Sequence, residues 1–146
     1  MSNDVADRVI GRLKFNEAGL IPAVAQQHDT GEMLMLAWMN ADAIRETLAT
    51  GQACYFSRSR GKLWRKGESS GMTQKVEQML TDCDQDAIVL KVTVGAGKGG
   101  AVGSCHVGYA NCFYRAIEVG KPVCEAGLEA VQEKVYDPAA VYGDKK

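Results

Sequence analysis

Residues 88–94 read Ile-Val-Leu-Lys-Val-Thr-Val, and this stretch decides the fold class. Every second residue is strongly apolar, whereas Lys91 and Thr93 stand among the positions between. The period of two predicts a β-strand with one face in the core. A strand of this kind needs neighbouring strands, so the chain is expected to build a sheet.

Further strands are predicted on both sides of this stretch. Two apolar runs, 20–26 and Met33–Met39, flank the turn sequence Asp29-Thr30-Gly31-Glu32 and predict a hairpin. Strand-like composition also marks three other segments, at 53–59, 76–80 and 112–119. Strands therefore dominate the predicted structure.

Helices are fewer in the prediction. Asn40 can cap a helix over 41–50, with Asp42 in its first turn and Gly51 at its end. A second helix is expected over 125–135. Because strands outnumber helices and short turns connect them, we predict an α+β fold with a mainly antiparallel sheet, forming one domain over residues 1–146.

Composition narrows the possible partners. The formal net charge is -1, whereas domains that bind nucleic acid usually carry a marked basic excess. The longest apolar run, Met33–Met39, is too short for a membrane span of about 20 residues, and no export signal is recognised at the N-terminus. We therefore expect a cytoplasmic protein that has neither nucleic acid nor a membrane as partner.

Five cysteines occur without any Cys-x-x-Cys pair, and in a reducing compartment free thiols or metal ligands are better interpretations than disulfides. Three of them, Cys83, Cys105 and Cys112, can supply thiolates to a zinc ion whose fourth position stays open to water, as in catalytic zinc sites. His106 can instead close that shell as a fourth ligand. The other two cysteines lack neighbouring ligand candidates: Cys54 and Cys124.

The pentapeptide Asp82-Cys83-Asp84-Gln85-Asp86 offers a second kind of metal site. On an extended segment its three carboxylates share one side and the thiol points to the other. Magnesium prefers oxygen ligands and zinc prefers thiolates, so the segment can serve two metals on opposite faces. The alternative interpretation is a solvated acidic turn.

A basic segment over 58–66 carries five cations and no acid: Arg58, Arg60, Lys62, Arg65 and Lys66. Such a cluster suits phosphate, which Arg binds in a bidentate manner and Lys attracts as a point charge. Trp64 can stack on a base or simply pack. The small-residue loop that follows, with Ser69 and Ser70, can offer backbone amides and hydroxyls to an anion. The alternative interpretation is a solvated basic face.

Taken together, these motifs resemble the phosphoribosyl-AMP cyclohydrolase family in their order and spacing. The resemblance covers about residues 20–119. It rests on the basic segment with its serine loop, the acidic pentapeptide, and three short sequences: Met35-Leu36-Ala37-Trp38-Met39-Asn40, Cys105-His106 and Cys112-Phe113-Tyr114-Arg115.

The resemblance implies a homodimer with a zinc site shared between the subunits. Cys83 of one subunit and Cys105 and Cys112 of the other would hold the zinc. Magnesium would bind near the three carboxylates of the acidic pentapeptide: Asp82, Asp84 and Asp86.

The resemblance also implies an enzyme of histidine biosynthesis whose substrate is a phosphorylated nucleotide. In the family's reaction, water adds to C6 of the adenine ring of phosphoribosyl-AMP and the N1–C6 bond breaks. His106 is the candidate for moving the proton, because an imidazole titrates near neutral pH. Phosphate would be held by four cations: Arg58, Arg60, Arg65 and Lys66.

Two other interpretations stay open. One is a non-enzymatic zinc module in which three cysteines and His106 close the shell and the basic segment binds a partner. The other is a thiol-redox protein that uses Cys105 and Cys112, although the lack of a Cys-x-x-Cys motif disfavours it. The glycine-rich residues 95–103 match a dinucleotide-binding pattern only in part, so we expect them to form a connection between strands.

Overall fold

The structure, a computed structural model, describes residues 3–120 and 127–143. Its elements follow in the order α1 (Asn3–Arg12), β1 (Ile21–Gln27), β2 (Met33–Met39), α2 (Ala41–Thr50), β3 (Cys54–Ser57), β4 (Lys62–Arg65), β5 (Gln74–Thr81), β6 (Ile88–Val94), β7 (Arg115–Ile117), β8 (Leu128–Ala130) and α3 (Pro138–Tyr142). Among these described helices, none has the length and apolar character needed to cross a bilayer.

Six strands form one sheet in the order β4-β3-β2-β1-β6-β5, and β7 and β8 form a separate ribbon. The predicted α+β class is confirmed. The sheet, however, is mixed: its other pairs are antiparallel, but β1 and β6 run parallel. The parallel pair arises where two antiparallel hairpins meet. Strand β1 of the hairpin β1–β2 lies beside strand β6 of the hairpin β5–β6 and runs in the same direction.

The sheet curls so that its β5 edge meets the segment before β3. Ala53 N donates to Gln74 O at 2.8 Å, and Val76 N donates to Gly51 O at 2.8 Å. The apolar side chains enclosed by this curl include Ile21, Met39, Tyr55, Leu90 and Val92, all with no exposed surface. Alternate residues of β6 therefore lie in the core, as its period of two predicts.

Helix α2 has the bounds and both ends predicted from the sequence. The Asn40 side chain accepts a hydrogen bond from Ala43 N at 2.8 Å, which satisfies a backbone donor of the first turn. Gly51 ends the helix in the left-handed region at φ 75°, a conformation that favours glycine. The helix buries Ala43, Ile44 and Thr47.

Three local predictions need correction. The strand expected over 112–119 is only Arg115–Ile117, and the described part of the expected helix 125–135 contains the strand Leu128–Ala130 instead. Backbone pairing of this strand with β7 overrides its local helical pattern. The remaining part of that expected helix and Cys124 lie outside the described residues. The basic segment was not predicted as a strand, yet Lys62–Arg65 forms the edge strand β4, where charged side chains remain exposed.

The glycine-rich connection after β6 packs closely against the serine loop. A Cβ added at Gly97 would lie 2.4 Å from Ser70 O, so only glycine fits there. Next to it, Lys98 N donates to Ser70 O at 3.1 Å. Close backbone approach, rather than nucleotide binding, explains this glycine.

The central position of β6 generates a stability prediction. Leu90→Ala is expected to lower the free energy of unfolding by about 2–5 kcal/mol, because it leaves a cavity in a fully buried site. Chemical denaturation measures this change. Thr93→Ala, at an exposed position of the same strand, is the control and should cost less than about 1 kcal/mol. Equal losses in the two variants would contradict the assignment of Leu90 to the core.

Candidate active site

A cavity of about 190 Å³ brings most of the predicted substrate residues together. The end of β4 and the serine loop form one wall, and His106 approaches from the segment that follows the glycine-rich connection. The predicted residues that line the cavity are Arg60, Trp64, Arg65, Lys66, Ser69, Ser70 and His106.

Arg58 does not line this cavity. Its guanidinium lies 4.9 Å from the centre of the Trp38 ring, a distance suited to a cation–π contact. Trp38 borders a different cavity, which also includes Lys14 and Asp86. Arg58 and Arg60, although only two residues apart, therefore lie beside different cavities of the molecule.

Several polar groups of the cavity already have partners within the chain. Arg65 pairs with Glu46 of α2. Lys66 Nζ donates to Ser104 O at 2.6 Å, and the buried Ser70 hydroxyl accepts from Met72 N at 3.1 Å. Arg65, Lys66 and Ser70 thus help to fix the cavity wall. In addition, Lys66 connects that wall to the residue preceding Cys105.

Cys105 and Cys112 form a neighbouring thiol pair beside this wall. Cys105 is only 3% exposed, and Cys112 N donates to Leu34 O at 2.7 Å at the start of β2. Although Cys112 as a whole keeps exposed surface, loss of hydration around its sulfur raises the pKa of the thiol to about 11. The adjacent Cys105 adds to the rise, and the Lys66 ammonium opposes it. Such a pair is suited to a thiolate-binding metal such as zinc.

The acidic pentapeptide forms the turn between β5 and β6. Asp82, Asp84 and Asp86 are exposed, and one carboxylate oxygen of each lies within 4.8 Å of the others. Asp86 N donates to Asp82 Oδ1 at 3.1 Å, and Gln85 has a φ of 62°. Three converging carboxylates offer the oxygen ligands that magnesium requires.

The pKa values of the outer two carboxyls shift in opposite directions. A hydrogen bond to Asp82 and the charges of Asp82 and Asp84 raise the pKa of Asp86. For Asp82, partial desolvation acts upward. Hydrogen bonds from the Asp86 side chain and from the Asp86, Ala87 and Gln85 amides outweigh it, so the pKa falls. The rise at Asp86 reflects repulsion between neighbouring carboxylates, and a bound cation would relieve that repulsion.

Cys83 and the thiol pair lie at opposite ends of the sheet. Cys83 lies in the turn before β6, whereas Cys112 bonds Leu34 at the start of β2, which pairs with the end of β1 and so lies near the end of the parallel strand β6. A seven-residue strand such as β6 is about 20 Å long. Among the residues that the structure describes, no group of three potential metal ligands combines Cys83 with Cys105 and Cys112. One chain therefore does not bring the three predicted zinc ligands together.

The sequence interpretation missed the contribution of the C-terminal segment. Tyr142 of α3 lines the cavity, together with Gly67 and Glu68 of the serine loop. Gly67 and Glu68 belong to the small-residue loop that the sequence already indicated as a possible anion-binding segment. Nothing in the sequence connects Tyr142 with His106, since their contact with one cavity depends on how the segment that contains α3 packs.

Comparison with known proteins identifies the family. The model of the phosphoribosyl-AMP cyclohydrolase family matches residues 35–114. The phosphoribosyl-AMP cyclohydrolase of Acidiphilium cryptum is 60% identical over 109 residues, which cover 75% of this chain and 89% of that protein. The chain belongs to the phosphoribosyl-AMP cyclohydrolase family.

Similarity to other phosphoribosyl-AMP cyclohydrolases extends over nearly the whole chain. The protein of Chlorobium limicola is 48% identical over 144 residues, covering 99% of this chain and 97% of that protein. The protein of Methanococcoides burtonii is 54% identical over 130 residues, covering 89% and 95%. The matched family range includes the basic segment and the three cysteines, but ends before Tyr142.

The Cys112 environment generates a prediction for metal-free protein. Lys66→Met should raise the pKa of the Cys112 thiol further, because it removes the cation that favours the thiolate. Alkylation of Cys112 at pH 9 in the presence of a chelator is then expected to slow by roughly two- to tenfold, equivalent to a rise of up to one pKa unit. Peptide mass spectrometry measures the rate. Lys62→Met, at the start of β4 in the same basic segment, is the control, and an equal slowing there would refute the role of Lys66.

Proposed function

We propose that this chain hydrolyses phosphoribosyl-AMP in histidine biosynthesis at a zinc site shared between two subunits. Water adds to C6 of the adenine ring, and the N1–C6 bond breaks. The main support within the structure is the thiol pair Cys105–Cys112, which lies beside a cationic cavity that also contains His106. Membership of the phosphoribosyl-AMP cyclohydrolase family supports the same substrate.

The donor chemistry at the thiol pair fits zinc. Two adjacent sulfurs, one of them poorly hydrated, can become thiolates when a divalent cation replaces their protons. Cys83 of a second subunit would supply the third sulfur, since Cys83 of the same chain lies at the other end of the sheet. Three thiolates leave a position for water, which is the arrangement of a catalytic zinc site.

An exposed apolar surface beside Cys112 supports the homodimer. The β7–β8 ribbon and the residues next to it carry large apolar side chains, each more than half exposed: Phe113, Ile117, Leu128 and Val131. Grouped exposed apolar side chains are typical of protein interfaces. In a two-fold dimer each subunit would supply Cys83 to one zinc site and Cys105 and Cys112 to the other, so two equivalent sites would form.

The chain's own side chains would then bind substrate and move protons. When bound, zinc supplies Lewis-acid activation of water, whose pKa coordination can lower to about 7. His106 receives a proton during the attack on C6 and returns it to N1 as the ring bond breaks. Arg60, Lys66 and the serine loop bind phosphate on one side of the site, and Arg65 supports them while paired with Glu46.

The size of the cavity also supports a shared site. At about 190 Å³ it is smaller than the roughly 300–1,000 Å³ typical of ligand pockets. It can therefore enclose only part of a substrate that carries two phosphoribosyl groups. The remainder would contact the partner's acidic turn, where magnesium on Asp82, Asp84 and Asp86 and the nearby Arg58 can bind phosphate.

Mixed subunits provide the test of the shared zinc site. Cys83→Ser and Cys112→Ser are each expected to lose zinc and ring opening. Mixing the two variants through a dissociation step should restore about a quarter of the wild-type activity, because half of the dimers are mixed and each has one intact site of two. Ring opening of phosphoribosyl-AMP is followed by absorbance, and zinc by elemental analysis.

The controls separate the function from the assembly. Wild-type protein should lose activity with a chelator and recover it with zinc, whereas Cys54→Ser, at a buried position in β3, should keep its zinc. A wild-type protein that does not open the ring with zinc present would overturn the proposed function. Activity in the wild type without recovery in the mixture would overturn only the shared site.

His106 has a separate prediction. His106→Ala should keep its zinc and lose roughly 10²–10⁴-fold in kcat, the usual effect of removing a general acid–base group. Zinc content and turnover are measured on the same sample. Loss of zinc from this variant would make His106 a metal ligand instead of a proton carrier.

A further inference from the structure

The segment 135–142 is attached to the loop that carries Cys105 and His106. The Tyr136 hydroxyl donates to Cys105 O at 2.6 Å, and Val135 N donates to Gly108 O at 2.7 Å. Gly108 has a φ of 112°, and a Cβ added there would lie 2.7 Å from Tyr136 O. Segment 135–142 therefore packs directly on the segment that bears a proposed zinc ligand.

Helix α3 continues this segment to the cavity. Asp137 caps the helix by accepting a hydrogen bond from Ala139 N at 3.0 Å, and Val141 is buried. Lys98 Nζ donates to Val141 O at 3.3 Å, which ties the helix to the glycine-rich connection. These contacts on both sides of the helix fix the backbone from which Tyr142 reaches the cavity wall.

The two tyrosines of this segment also contact each other. Burial, followed by the neighbouring Tyr142 hydroxyl, raises the pKa of Tyr136. Tyr136 is in turn anchored on the Cys105 carbonyl. Tyr142 is thus supported through its hydroxyl end, and this half-buried residue lines the cavity.

The cavity lining divides into groups suited to phosphate and groups suited to a flat ring. Arg60, Lys66 and Ser69 are polar or cationic, whereas the large aromatic side chains in the lining are Trp64 and Tyr142. Trp64 already packs against Tyr55, with ring centres 5.1 Å apart. Tyr142 therefore adds aromatic surface from outside the basic segment, and a purine is the part of the proposed substrate that such a surface recognises.

We propose that Tyr142 is a substrate-contacting residue, whose ring packs against the purine base of the nucleotide and thereby sets its affinity. This inference rests on the proposed function. It gives the C-terminal segment, which lies beyond the family match at 35–114, a direct part in substrate recognition.

Tyr142→Leu and Tyr142→Phe form a matched pair for the test. Leucine keeps apolar bulk and helix propensity but loses the aromatic face, whereas phenylalanine keeps the ring and loses only the hydroxyl. On the zinc-loaded enzyme, Tyr142→Leu should raise KM for phosphoribosyl-AMP by roughly 5- to 100-fold, the range expected for loss of one base-stacking contact. Its kcat and its zinc content per chain should stay within about threefold of wild type. Tyr142→Phe should restore KM to within about threefold.

Each other outcome counts against the inference. An unchanged KM in Tyr142→Leu would mean that the ring does not touch the base. A fall in kcat or zinc with unchanged KM would make Tyr142 a structural support of the Cys105 loop, and equal KM rises in the two variants would point to the hydroxyl. A wild-type enzyme with zinc that fails to open the ring would overturn the proposed function and this inference with it. If the wild type is fully active and Tyr142→Leu has the same KM as the wild type, only the inference is overturned.

Discussion

The parallel pairing of β1 with β6 is the constraint on which the arrangement of the molecule depends. Its register runs from Ala23 opposite Ile88 to Gln27 opposite Val92. Because the two strands run in the same direction, the turn before β6 lies at the start of β1, and the segment after β6 lies at its end. The acidic turn and the thiol pair are thereby assigned to opposite ends of one sheet.

This separation keeps two incompatible charge environments apart within a chain. The carboxylates of the acidic turn would neutralise the cations around Lys66 if they shared a site without a metal. Strand β6, which separates the acidic turn from the thiol pair, is about 20 Å long, more than two Debye lengths at physiological salt, so each group can bind its own ligand. In the proposed dimer, the two environments meet only when subunits assemble, and metal ions then offset the carboxylate charge.

Local patterns in the sequence predicted the elements whose structure depends on local interactions. The caps of α2 are one example, because Asn40 bonds an amide three residues along the chain. Strand β6 is another, because its period of two can be read from consecutive residues, although the contacts that bury its face come from distant segments. Pairings between distant segments were not predictable in the same way. The parallel β1–β6 contact, the edge strand β4 and the β7–β8 ribbon all depend on which strands meet, and the ribbon replaced an expected helix.

The same distinction applies to the candidate site. Motif residues such as His106 and Lys66 could be selected by residue type, but Arg58 could not be separated from Arg60 without knowing that it stacks on Trp38. No motif or local sequence pattern indicated Tyr142 as a site residue. Its contact with the cavity depends on packing of segment 135–142 against the Cys105 loop, for which no local pattern exists.

The glycine-rich connection contacts both the serine loop and helix α3. At one end, Gly97 and Lys98 lie against Ser70, in the loop that borders the cavity. At the other, the Lys98 ammonium holds the last turn of α3 through Val141 O. The serine loop and Tyr142 therefore share one support, although they are far apart in sequence. A displacement of this connection would therefore move the serine loop and the last turn of α3 together.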